Sequence, residues 1–234
     1  MLKRIKIQGY KSLVDLEVHL EPLSLLFGPN AAGKSNFLDA LQLLSRIATS
    51  RTLKDAFELP YRGKPLESFT FGDNGIKGLL SQETAAFSIE VDVELSNSVV
   101  EAVNRQIRDM KKSKPADGIE ERETKNQSVV REKDFRYRIE IEILPKSGIL
   151  RVADEYLAAL NTKGEISRKR SPFLEKVQNR LHLRMEGQAH PTYYDRYLDH
   201  SILSSPLYPP HYPHLGKTQL LIYHFRNDCN VIQW

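Results

Sequence analysis

The chain has 234 residues, 40% of them hydrophobic and 27% charged, with a formal net charge of +4 and one cysteine. That length and apolar content can bury a core of one or two domains, and the balance is that of an ordinary globular protein. The lone Cys229 excludes an internal disulfide framework, no apolar run reaches bilayer length, and Lys3, Arg4 and Lys6 precede no apolar region of signal-peptide length, so a cytoplasmic protein without a membrane partner is expected.

Ile5 and Ile7 alternate with Arg4 and Lys6. After a turn at residues 9–12, Val14, Leu16, Val18 and Leu20 alternate with Asp15, Glu17, His19 and Glu21, the period of a half-buried strand. Pro22 breaks the pattern, and the nearly continuous apolar run at 23–27 predicts a strand buried on both faces. Gly28-Pro29-Asn30-Ala31-Ala32-Gly33-Lys34-Ser35 follows directly, and then Phe37, Leu38, Leu41, Leu44 and Ile47 recur at helical spacing. Residues 49–84 show little period. Phe87, Ile89, Val91, Val93 and Leu95 predict another strand, and Val99, Val103, Ile107 and Met110 a helical face. Residues 111–133 are dense in Lys, Glu and Arg and read as a solvated insertion. Phe135, Tyr137, Ile139, Ile141 and Ile143 form a further strand, a turn at 145–148 closes it, and Leu150 and Val152 open its antiparallel partner. A second turn is expected at 161–164. Residues 190–216, rich in Pro, His and Tyr, read as ordered loop, and Leu220 to Tyr223 begin a last element.

The pattern Gly-x-x-x-x-Gly-Lys-Ser at 28–35 is a P-loop, and each position has a physical task. Gly28 and Gly33 permit turns closed to other residues, so successive backbone N–H groups converge on one point. The following helix adds its N-terminal donors and dipole. The cradle so formed suits the α- and β-phosphates of ATP, with Lys34 reaching the β- and γ-phosphates and the Ser35 hydroxyl ligating Mg²⁺. Gly28, Pro29, Asn30, Ala31, Ala32, Gly33, Lys34, Ser35 and Asn36 are therefore the candidate nucleotide contacts. The second Gly-Lys-Thr, at 216–218, lacks the earlier glycine, since His211 stands there; it reads as coincidence or as a helix start.

Beyond this chemistry, the opening Ile5-Lys6-Ile7-Gln8-Gly9-Tyr10-Lys11-Ser12-Leu13 and the run from Gly28 through Ser35-Asn36-Phe37-Leu38-Asp39-Ala40-Leu41 resemble the head domain of SMC and RecF-type ATPases. Glu186-Gly187-Gln188-Ala189-His190-Pro191 also resembles RecF-like ATPases of the OLD-nuclease and phage-defence kind. The resemblance implies an α/β P-loop fold of the ABC-ATPase head type. Its parallel core would include 23–27, and strands at 3–20, 85–95 and 135–152 would form a flanking antiparallel sheet. It implies ATP held between two copies, one giving the P-loop and the other a serine-glycine signature, with a Walker B Asp-Glu pair for Mg²⁺ and water. It also implies DNA as a partner, in repair or phage defence. Two more contacts come from it: Lys11, at a basic position near the nucleotide, and Gln188, as a glutamine near Mg²⁺.

The sequence departs from that pattern. It shows no Leu-Ser-x-Gly signature and no apolar run ending in Asp-Glu. Asp154-Glu155 follows a run interrupted by Arg151 and reads as an ordinary acidic pair. The catalytic base is thus not identified, and the expectation is the N-terminal portion of a longer ATPase, working as a homodimer or with a second chain that supplies signature and Walker B. A non-catalytic ATP-dependent module, or an inactive truncated remnant, is the alternative. The histidines with Cys229 fit no zinc spacing, whereas the Tyr193-Tyr194 region and Arg168-Lys169-Arg170 have the composition of nucleic-acid contacts as well as of packing and solvated charge.

Overall fold

The structure, a computed structural model, describes residues 1–112, 132–178, 180–185, 190–194, 198–205, 211–228 and 231–233. Its centre is an eight-stranded sheet in the order β2-β1-β4-β5-β6-β7-β8-β9. The strands are β1 (Leu2–Tyr10), β2 (Leu13–His19), β4 (Ala85–Glu94), β5 (Asp134–Leu144), β6 (Ile149–Ala159), β7 (Leu174–Val177), β8 (Arg180–Leu183) and β9 (Thr192–Tyr194), and every pairing is antiparallel. The expected flanking sheet at 3–20, 85–95 and 135–152 is present, with β6 running on to Ala159 and three short strands added beyond it.

Alternation builds the sheet. Ile5, Ile7, Ile89, Val91, Tyr137, Ile139 and Ile141 are fully buried on one face. Each fully buried Val or Ile contributes roughly 1.5–3 kcal/mol. Against that face, in one apolar cluster, lie α1 (Lys34–Ile47), the short α2 (Leu53–Ala56) and α5 (Pro213–Asp228). Two further helices, α3 (Gly75–Ser81) and α4 (Asn97–Lys112), precede and follow β4, the second as its apolar spacing predicts. At the β1–β2 turn, Gly9 has φ +73°, and a Cβ there would sit 2.7 Å from the Ala86 carbonyl oxygen, so only glycine lets β4 approach.

The opposite face is a ladder of cross-strand charges. Arg4 pairs with Glu17, Glu90 and Asp92, Arg136 with Asp92 at 2.7 Å, Arg138 with Asp154, and Arg151 with Glu142 at 2.6 Å. Burial alone would raise the Asp92 carboxyl, but hydrogen bonds from Arg136 and Arg4 hold it below the usual carboxylate range.

Two expectations fail here. The apolar run at 23–27 is not buried on both faces: β3 is only Ser24–Leu26, and Leu23, Leu25 and Phe27 are 61%, 55% and 84% exposed. Among the described residues its one strand partner is β10 (Val231–Gln233), paired in parallel, and of the run Leu26 packs against the core. Val14 is likewise 65% exposed, on β2 at the edge of the sheet. The segment read as loop at 190–216 instead holds β9, a 3₁₀ turn at Ile202–Ser204 and the start of α5. Most of the charged insertion lies outside the described residues.

Candidate functional site

Residues 28–35 connect β3 to α1, as a P-loop requires. The chain turns by positive φ at Gly28 (149°), Ala31 (67°) and Gly33 (89°). At Gly33 a Cβ would also meet Leu13 Cδ2 at 3.2 Å and Ser12 Oγ at 3.3 Å, so the β1–β2 turn packs against the loop's end and fixes it. Gly33 caps α1 with no side-chain hydrogen bond, and the first helical turn contains no acid. The 14-residue helix therefore presents its positive dipole end undiluted at the loop. Pro29, Asn30, Ala31 and Ala32 are exposed, and Ser35 and Asn36 are half-buried in the first turn. Lys34 Nζ folds back over the loop and donates to the Gly28 and Pro29 carbonyls at 2.7 and 2.9 Å, which sets the ammonium at the loop's centre.

Lys11 is brought to the same place. It takes φ 49° in the β1–β2 turn, and its side chain, only 10% exposed, is not that of a free surface lysine. Nζ bonds Asp39 Oδ2 at 2.7 Å and the Arg62 carbonyl at 3.0 Å, and lies 5.0 Å from the centre of the Tyr61 ring. Tyr61 is anchored in turn by Tyr10, whose hydroxyl lies 2.8 Å from its own, and burial pushes the Tyr10 phenol far up.

Sequence reasoning missed Arg62 and Asp39. Arg62 donates to Asp39 Oδ2 through Nε (3.0 Å) and Nη2 (2.7 Å), and Nη2 also reaches Asn36 Oδ1 at 3.1 Å. Asn36 in turn donates to Ser12 Oγ at 2.8 Å. One network thus joins the first turns of α1, the β1–β2 turn and the segment around Arg62, with two cations beside the P-loop. The spacing of Asn36 and Asp39, three apart on one helical face just after the motif, was the available signal for a facing cation. Arg62 itself lies in the stretch without period.

Asp154 and Glu155 are not at the site. They lie within β6 in the antiparallel sheet, Asp154 paired with Arg138 and Glu155 fully buried. The Glu155 carboxylate accepts from Tyr137 Oη at 2.7 Å, Ser201 Oγ at 2.6 Å and the Ile202 N–H at 2.8 Å. It pins the 3₁₀ turn to the sheet. Lys217 and Thr218 of the second Gly-Lys-Thr are fully buried in α5, away from any loop that could hold phosphate. Gln188 lies outside the described residues. No described helix is long and apolar enough to cross a membrane.

Comparison with known proteins agrees with this architecture. Residues 1–188 match the AAA ATPase domain family, and the chain belongs to it. The chain is similar to the DNA replication and repair protein RecF of Lactococcus lactis subsp. cremoris (strain MG1363), 26% identical over 102 residues, which are 43% of this chain and 26% of that protein. RecF of Synechocystis sp. is 30% identical over 96 residues, 41% of this chain and 23% of its own length. An OLD nuclease of Thermus scotoductus is 41% identical over 44 residues, 19% of this chain and 8% of that protein. The chain thus spans about a quarter or less of the curated relatives it matches.

Proposed function

We propose that residues 28–36 bind Mg-ATP and that the chain is the ATP-binding lobe of a DNA-associated, RecF/SMC-like ATPase. The observation that carries this is the loop itself: positive φ at three positions, Lys34 at its centre, and the uncapped N-terminus of α1 beneath. In this reading the loop N–H groups and Lys34 neutralise the β- and γ-phosphates, and the Ser35 hydroxyl, with Gln188, ligates Mg²⁺. Lys11 and Arg62, both held on Asp39, set two further positive charges beside the phosphates. The family membership supports an ATPase, and the RecF and OLD-nuclease relatives support the DNA association.

The ABC-head arrangement follows the same reading. The chain is the N-terminal portion of the head, and the signature motif and Walker B pair come from a second copy or another chain. The exposed apolar residues Leu25 on β3 and Leu23 and Phe27 at its two ends favour this, because a core strand of such composition calls for neighbours on both faces. The test is steady-state ATP turnover, by the chain alone and with single- and double-stranded DNA. Binding without appreciable turnover by the chain alone is expected. Robust turnover would contradict the assignment of the base to another chain.

A further inference from the structure

The charge of the chain is unevenly placed. Between residues 165 and 184 stand Arg168, Lys169, Arg170, Lys176, Arg180 and Arg184, against only Glu165 and Glu175, whereas the whole chain carries +4. The remainder of the molecule is therefore close to neutral, and the excess lies on and beside the β7–β8 hairpin at one end of the sheet. Arg168, Lys169, Lys176 and Arg180 are exposed. Glu175 is taken up by Arg184 at 2.8 Å.

The outer face of that end differs from the rest. One cross-strand row runs through the register Glu17, Lys6, Glu90 and Arg138, alternating in sign and neutralising itself. The row continues from Arg138 to its partner Tyr156, then through Glu175 to His182 and Tyr193. In this row, from β6 onward, three of the four positions thus carry rings. Tyr193 is 49% exposed and is braced by His182, the two rings 4.7 Å apart at 86°. Tyr156 carries the Arg138 guanidinium at 5.8 Å from its centre. Tyr156 and Tyr193 are three strands apart, about 14 Å at the usual strand spacing.

We propose that this face, from β6 to β9, is a binding platform for single-stranded DNA, with Tyr193 as a base-stacking residue and Arg180, on the same face of β8 as His182, as a contact to the phosphates. Rings held on a sheet surface and rimmed by cations are what single strands require: every base offers a flat face to stack, and the backbone is neutralised without reading sequence. A duplex hides its base faces and makes no use of Tyr193. This rests on the DNA association proposed above and names the surface that carries it.

The test is fluorescence anisotropy of a labelled oligothymidylate with the full chain, with Mg-ATP binding to the same preparations measured separately. The native chain is expected to bind the oligonucleotide, and duplex of equal length to compete poorly. Tyr193→Ala should weaken binding roughly tenfold, Tyr193→Phe should restore it, and Arg180→Ala should lower the slope of log affinity against log salt by about 0.7. Mg-ATP binding should be the same in all four proteins. Native binding retained by Tyr193→Ala and Arg180→Ala alike would overturn this surface while leaving the DNA association standing. Duplex competing as well as the single strand would also overturn it. No binding by the native chain would overturn both.

Discussion

Lys217 offers a test of the packing that needs no ligand. Its side chain is fully buried in α5, and its ammonium has no hydrogen-bond partner among the described residues. Burial lowers its pKa from 10.5 to about 8, and the nearby Glu132 carboxylate, itself bonded to Arg170, recovers only part of the loss. The sign follows from linkage. The folded pKa lies below the unfolded one, so the folded chain is penalised below pH 8, where both states are charged, and the penalty fades as pH rises to 10.5. A depression of that size corresponds to about 3 kcal/mol at neutral pH. Lys217→Met keeps the length of the side chain, removes the charge and leaves Glu132 with Arg170. Urea unfolding followed by circular dichroism should show the variant more stable at pH 7 by about 1–3 kcal/mol. The gain should shrink between pH 8 and 10.5. A variant less stable than the native chain at pH 7, or one with the same advantage at every pH, would refute the claim of an uncompensated ammonium.

Other outcomes follow from the network and the core. Arg62→Ala should weaken Mg-ATP binding roughly tenfold, because a charge-assisted contact is lost, while stability changes by less than about 1 kcal/mol, as for any exposed ion pair. Unchanged affinity in calorimetry would make Arg62 a partner of Asp39 alone. Glu155→Ala leaves Tyr137, Ser201 and Ile202 with buried donors facing a cavity and should cost about 3–5 kcal/mol in denaturant unfolding. Burial raises the Glu155 pKa from its ordinary 4.5, so its folded-state contribution is full below pH 4.5 and is lost as pH rises through the folded value. Glu155→Gln, which cannot ionise, should therefore gain on the native chain as pH rises above 4.5. A stability difference independent of pH would contradict that.

Much of the fold could be read from the sequence because its signals are local. Period-two alternation marked β1, β2, β4 and β5, since β1, β4 and β5 each bury one face and carry charge on the other, and β2 half-buries Leu16 and Val18. The loop at 28–35 was legible because its Gly-x-x-x-x-Gly-Lys-Ser pattern is local in sequence, with Ala31 taking positive φ as Gly28 and Gly33 do. What was missed depends on partners distant in sequence. The run at 23–27 looks doubly buried by composition, but burial is a property of neighbours, and β3 has only β10 beside it among the described residues. The first turns of α5 hide behind Pro, His and Tyr residues; Pro213 at the helix start is favourable, and His214 is buried on the Phe173 ring at 4.1 Å. Arg62 is fixed by Asp39, 23 positions away, and no period within residues 49–84 could announce that contact.

The claim that matters most is that the loop at 28–35 is a working nucleotide site. Titration calorimetry with Mg-ATP on the native chain and on Lys34→Ala tests it directly. The account predicts saturable binding by the native chain that requires Mg²⁺ for full affinity and is lost in the variant. Equal binding by both proteins, or none by the native chain, would contradict it.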